Sequence, residues 1–245
     1  MKKVRFLRNG MEREGELIGE KVVSAGEEFH EDSVEWLPPC RPKTIIGLAL
    51  NYPEHAKELS MSSPKEIVLF MKPVSSLIGH KGNIIYPNGV TNLHYEGELA
   101  VIVGKKIRNA TKKDALGSIA GYTIANDVTA RDFITNYFRP PLKAKGFDTF
   151  LPLGPALVTS DEVPDPYSLE ILTTVNGIVK QRGRTSDMFH KIEEVIEYVT
   201  SFMTLDAGDV ILTGTPAGIS PLKPGDLVEV RLSSLGRLTN RVVAE

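Results

Sequence analysis

Apolar residues in this chain gather mostly in short runs set apart by Pro, Gly, Asn and charged positions, a pattern of many short strands and few helices. The first run, VRFL, is followed by Asn9-Gly10, a pair that favours a two-residue hairpin turn. GELIG and KVVSA come next, so residues 1–40 are expected to form a small N-terminal β-meander. Pro38, Pro39 and Pro42 then interrupt regular structure and mark a boundary, after which residues 41–245 read as one larger domain.

Beyond the boundary, KTIIGLAL is expected as a buried strand, NYPEHAKELS as one or two helical turns, and EIVLFM as a second strand. Asn88-Gly89 marks a turn, and LHYEGELAVIVGK is the strongest strand candidate. Thr111 and Asp114 have the spacing of a capping box with a short helix after it. GYTIANDV reads as strand and ARDFITNYF as a helical turn or loop. Between 186 and 205, Met188, Phe189, Ile192, Val195, Ile196, Val199, Phe202 and Met203 recur at three- and four-residue steps. They predict a helix with these residues in the core, capped by Ser186 or Asp187 and ending before Gly208. DVILTG and DLVEVRL close the chain as strands. Strands outnumber helices and do not alternate with them regularly. The expected fold is α+β and rich in β, rather than a doubly wound sheet or a (β/α)₈ barrel.

Composition narrows the function. The chain has 245 residues, 41% hydrophobic and 24% charged, with a net charge of −2, so no basic field draws nucleic acid or anionic lipid. Cys40 is the only cysteine, which excludes an internal disulfide and fits a reducing compartment. It sits in LPPCRP without an evident partner and reads as a structural thiol. The start, MKKVRFLRNG, lacks the apolar run of a signal peptide, and no stretch approaches the roughly 20 apolar residues that span a bilayer. A cytoplasmic protein is expected.

Candidate chemistry centres on one strand. Alternate residues share a face, so Glu96 and Glu98 point the same way, with His94 and Ala100 beside them. Two carboxylates at the rim of a buried strand repel unless a proton, a cationic partner or a metal intervenes. The alternative is a pair on a solvated edge. Asp127 lies where the apolar stretch of TIANDVTARD turns polar and offers a third oxygen ligand. An all-oxygen set favours Mg²⁺, Mn²⁺ or Ca²⁺ over zinc, and three acidic ligands leave positions open for water and substrate. His94 is expected to pack or hydrogen-bond beside this cluster; His30, His80 and His190 are expected to be structural or exposed.

GLALNYPEHAKE, HYEGELAVIVGK, GYTIANDVTARD, KAKGFDTFLPLGPALVT and LTGTPAGISPLKPGDLVEV follow one another in the order of the fumarylacetoacetate hydrolase family, which the chain resembles over about residues 41–245. RPPLKAKGFDTFLPLG and GRTSDM look most like its isomerase/decarboxylase branch. Enzymes of that branch act on 5-oxopent-3-ene-1,2,5-tricarboxylate and 2-hydroxyhepta-2,4-diene-1,7-dioate in homoprotocatechuate (4-hydroxyphenylacetate) catabolism. The resemblance implies a β-rich mixed-sheet fold of the roll or sandwich kind, a homodimer, and one Mg²⁺ or Mn²⁺ on Glu96, Glu98 and Asp127. It implies catalytic roles for His55, Glu58 and Lys145, and substrate binding by Arg131 and Thr215. Two positions depart from the hydrolytic members: Leu48 replaces an aspartate ligand and Ile134 a glutamine.

The expected substrate is a small 2-oxo or 2-hydroxy dicarboxylate, whose carboxylate and 2-oxo oxygens can chelate the ion while it stabilises an enolate. Decarboxylation and isomerisation lead. An acylpyruvate-type carbon–carbon hydrolase or an oxaloacetate decarboxylase is the alternative, and a non-catalytic small-acid-binding protein stands as a reading of another class. No nucleic-acid or membrane partner is expected.

Overall fold

The computed structural model describes residues 1–134 and 140–245. Among them, strands form a 12-stranded mixed sheet, a five-stranded sheet and a two-stranded ladder. The large sheet runs in the order Glu27–His30, Lys21–Ser24, Met11–Ile18, Lys2–Arg8, Leu151–Thr159, Ile119–Asn126, Gly97–Val103, Val210–Leu212, Ile45–Leu48 and Leu69–Met71. Two short strands, Glu35–Leu37 and Leu77–Ile78, pair beside this path. The N-terminal meander is therefore continuous with the large sheet, because Lys2–Arg8 pairs antiparallel with Leu151–Thr159. Its hairpin turns at Asn9 and Gly10, both at positive φ, with Arg8 facing Met11 across the turn.

Every residue of the strand Gly97–Val103 is buried, which explains its unbroken apolar run. Leu99, Val101 and Val103 pack on one side with Ile192, Val195, Ile196 and Val199 of the helix Ile192–Phe202 and with Ile171, Val230 and Leu232 of the second sheet. Ala100 and Ile102 pack on the other with Ala125, Leu151, Leu153 and Val210. The second sheet orders Ile178–Arg184, Glu170–Val175, Leu227–Leu232, Gly236–Ala244 and Asn83–Tyr86. Glu170–Val175 and Leu227–Leu232 alternate between buried and less buried positions, as one-sided packing requires.

Several expectations need correction. The helix begins at Ile192, not near 186, and Thr185–Asp187 form a separate 3₁₀ turn in which the Asp187 carboxylate accepts from Arg184 N–H. Neither Ser186 nor Asp187 caps the helix. Glu194 does so by accepting from Lys191 N–H at 3.1 Å, since a residue three into the helix reaches back over its first turn. Phe189 and Phe202 are exposed rather than core: Phe189 precedes the helix, and Phe202 is its last residue. Gly208 lies beyond the helix end and turns the chain into the strand Val210–Leu212. EIVLFM contributes only Leu69–Met71 to a strand. The strands Glu170–Val175, Ile178–Arg184 and Gly236–Ala244, not anticipated from the sequence, complete the second sheet. Arg131–Phe133 forms a 3₁₀ turn; the rest of the expected ARDFITNYF turn or loop lies partly outside the described residues. Among the described residues no helix is long and apolar enough to cross a membrane.

Candidate metal centre and cavity

The acidic residues meet through strand register. Gly97 pairs with Asn126 across the antiparallel ladder, and the ladder extends one step, with Asp127 N–H donating to Glu96 O at 2.8 Å. Glu96 and Asp127 are thus cross-strand neighbours, and Glu98 lies two residues along the same face as Glu96. All three are buried, and one carboxylate oxygen from each falls within 4.8 Å of the others.

Cations surround two of the three. Lys145 Nζ donates to Glu96 Oε2 at 2.9 Å, Asp127 Oδ2 at 2.5 Å and Thr129 Oγ1 at 2.9 Å. Arg131 pairs with Glu96 Oε1, and Lys72 Nζ with Asp127 Oδ1 at 2.6 Å. Glu98 accepts one backbone N–H, from Gly214 at 2.8 Å, and has no salt bridge among the described residues. The electrostatics follow. Burial raises the Glu96 carboxyl, but Lys145, Arg131 and His55 together outweigh it and hold the group below the usual carboxylate range. Burial, reinforced by Asp127 and Glu96, pushes Glu98 well above that range. Burial opposes the charge of Lys145, yet Asp127 and Glu96 raise its pKa overall. Lys72 moves the other way, because burial exceeds the help from Asp127.

This donor set fits a hard divalent ion: three buried carboxylates converge, and one of them lacks a compensating cation. Arg131 Nε is buried without a hydrogen-bond partner among the described residues, so the guanidinium keeps a donor to offer beside the cluster.

Glu96 and Glu98 open onto a cavity of about 360 Å³, whose wall also carries His55, Arg131, Lys145 and Thr215. Its other side is apolar and includes Leu48, Leu50, Met61, Val68, Phe70 and Ile134. The two departures from the hydrolytic pattern, Leu48 and Ile134, both line it. His55 lies on the helix Pro53–Glu58, and its Nδ1 stands 3.0 Å from Glu58 Oε2. Gly218 N–H donates to Glu58 Oε1 at 3.0 Å. The Thr215 hydroxyl donates to Gly97 O at 2.9 Å and accepts from Gln181 Nε2 at 2.8 Å.

His94 stays outside the acidic cluster. Its Nε2 meets Asn92 Oδ1 at 2.7 Å, and burial, with Arg131 nearby, lowers its pKa to about 4. His80 is buried, His190 is partly buried with Nε2 3.1 Å from Pro64 O, and His30 is largely exposed. Burial pushes the Cys40 thiol up to about 12, so it is no nucleophile.

Sequence reasoning missed three residues. Lys72 follows an apolar strand, and a lysine there must find a partner or face water; the partner stands 55 residues away. Phe70 packs its ring 4.6 Å from Lys145 Nζ. Asn51 donates to Thr213 O and His190 O and accepts from His190 N–H, so it anchors the segment before the His55 helix.

A family model described as fumarylacetoacetate (FAA) hydrolase C-terminal matches residues 44–243. The 4-hydroxyphenylacetate degradation bifunctional isomerase/decarboxylase of Salmonella dublin is 40% identical over 226 residues, 92% of this chain and 53% of that protein. The chain thus spans about half the length of that relative. The human mitochondrial oxaloacetate tautomerase FAHD2A is 42% identical over 84% of this chain and 68% of its own. The crystal structure of 5-carboxymethyl-2-hydroxymuconate delta-isomerase from Mycobacterium smegmatis superposes with a TM-score of 0.90 at 36% identity, covering 100% of this chain and 99% of the other.

Proposed function

Because the chain belongs to the fumarylacetoacetate hydrolase family of enzymes, we propose that it is a divalent-metal-dependent decarboxylase/isomerase of small unsaturated 2-oxo or 2-hydroxy dicarboxylic acids, working in 4-hydroxyphenylacetate breakdown. The observation that carries this reading is the convergence of Glu96, Glu98 and Asp127, with the two glutamates opening onto a cavity whose wall holds cationic and hydroxyl groups.

Mg²⁺ or Mn²⁺ held by these carboxylates would act as a Lewis acid, stabilising negative charge that develops on a 2-oxo oxygen. The protein's own groups do the rest. Arg131 has a planar fork suited to a carboxylate, and its unpaired Nε lets it bind one without leaving Glu96. Lys145 brings a second charge to the same end of the substrate, and Thr215, fixed by Gln181 and Gly97, gives the wall a rigid polar point. His55 is the candidate for moving a substrate proton, with Glu58 orienting its ring. The apolar wall excludes water and raises the worth of each charge.

The test is direct. Purified protein with Mg²⁺ should consume 2-hydroxyhepta-2,4-diene-1,7-dioate or 5-oxopent-3-ene-1,2,5-tricarboxylate, followed by ultraviolet absorbance; inertness toward both overturns the proposal.

A second reading, an acylpyruvate-type hydrolase or an oxaloacetate decarboxylase, draws on the His55–Glu58 pair, whose spacing suits activation of a water. Pyruvate release from acetylpyruvate or oxaloacetate would support it, and release from neither would remove it. The proposal includes a homodimer in the cytoplasm. Val68, Met71, Val74 and Leu142 are exposed apolar residues on and around the edge strand Leu69–Met71 and the helix Leu142–Lys145, and their burial would favour such a pair. Light scattering at twice the mass of the chain is expected.

A further inference from the structure

Lys72 differs from the other two cations of the site in having nowhere else to go. Its side chain is 0% exposed, and its Nζ donates to Asp127 Oδ1 at 2.6 Å and to Val128 O at 3.3 Å. Lys145 and Arg131 line the cavity and can turn toward a ligand, whereas Lys72 lies behind Asp127, outside the lining. Asp127 is thereby held from both sides, Oδ1 by Lys72 and Oδ2 by Lys145.

The formal charges then balance. Lys72, Lys145 and Arg131 pair with Glu96 and Asp127, and with Glu98 ionised, as a bound cation would require, three carboxylates match three cations. Addition of a divalent ion leaves an excess of two positive charges, one of which is owed to Lys72. A 2-oxo carboxylate brings one negative charge. A ligand with a second anionic oxygen, whether an enolate, the second carboxylate of oxalate or that of a dicarboxylate, brings two and neutralises the loaded site.

We propose that Lys72 is a positioning residue that clamps Asp127 and, by its fixed charge, biases the metal-loaded cavity toward dianionic ligands over monoanionic ones. The inference rests on the metal-dependent reading above. It also fixes the sign of two effects. Removing a neighbouring positive charge should tighten cation binding, while it should weaken a dianion more than a monoanion.

The experiment compares the 245-residue chain with Lys72→Met, which keeps the length without the charge, and Lys72→Gln, which keeps a donor for Asp127. Mn²⁺ affinity is read by electron paramagnetic resonance. Oxalate and pyruvate affinities of the Mn²⁺-loaded proteins are read by calorimetry. Both variants should bind Mn²⁺ more tightly than the parent, and their preference for oxalate over pyruvate should fall about tenfold. Looser Mn²⁺ binding, an unchanged oxalate preference, or a preference lost in Lys72→Met but kept in Lys72→Gln would overturn the inference. So would loss of folded protein in both variants by circular dichroism, since Lys72 would then be a structural strut. A parent that binds no Mn²⁺, or binds oxalate equally without it, would instead defeat the metal-dependent reading.

Discussion

Glu96 and Asp127 stand opposite each other across an antiparallel ladder, joined by the Asp127 N–H to Glu96 O bond at 2.8 Å. Rigid backbone on both sides therefore sets the separation of two acidic groups before any ion arrives, and Glu98 joins them by the two-residue period of its strand. Preorganisation of like charges is costly, and the cost falls on Glu98, which has no cationic partner among the described residues.

Glu98→Gln should therefore separate binding from folding. We expect at least about a hundredfold weaker Mg²⁺ or Mn²⁺ binding and loss of turnover. The melting temperature in EDTA should hold or rise by a few degrees, because the cost of burying or protonating a carboxyl beside Glu96 and Asp127 has been removed. Calorimetry with and without EDTA checks both, and retained metal binding would dismiss the carboxylate centre.

His55→Asn distinguishes the two chemistries proposed for the site. If the His55–Glu58 pair activates water, carbon–carbon hydrolysis should fall by about a hundredfold or more. Metal affinity should remain that of the parent, since His55 is not one of the three acidic ligands. Equal losses in hydrolysis, decarboxylation and isomerisation would show that the ring serves a step common to all three.

Gly47→Ala probes the wall behind Lys145. A Cβ at Gly47 would come within 2.1 Å of the Phe70 ring, which itself sits 4.6 Å from Lys145 Nζ. The ring must move, at a cost of about 1–3 kcal/mol of overpacking, and the lysine loses a neighbour that holds it over Glu96 and Asp127. Urea denaturation should show the stability loss, and substrate kinetics a raised KM. A parent-like midpoint together with parent-like kinetics would contradict the packing.

Acid should weaken the junction between the N-terminal strands and the second sheet. His80 packs edge-on against Trp36 at 5.3 Å, accepts Thr239 N–H through Nδ1 at 3.1 Å, and burial lowers its pKa to about 3. It is neutral in the fold but protonates near pH 6.5 when unfolded, so its contribution is complete above pH 6.5 and declines as pH falls toward 3. Between pH 7.5 and 5.0 the loss is about 2 kcal/mol. The stability difference between the parent and His80→Gln should shrink by that amount, read in urea by the fluorescence of Trp36, the only tryptophan. A difference independent of pH would exclude His80 as the titrating group.

Local pattern carried a good part of this molecule. Asn9-Gly10 foretold its hairpin, the Thr111–Asp114 capping box is formed, and the alternation around Glu96 and Glu98 placed both on one face of a strand. These features depend on neighbours a few residues apart. The helix start slipped by six residues because periodicity continues through a 3₁₀ turn followed by Met188, which packs in the same core. The convergence of Asp127 with the glutamates, the burial of Lys145 and the clamp from Lys72 depend on which strands lie side by side and in what register. Hydrophobic pattern specifies that a strand is buried without naming its neighbour. A buried ammonium such as Lys72 is tolerable only beside its carboxylate, so only the packed sheet could decide that this lysine belongs to the site.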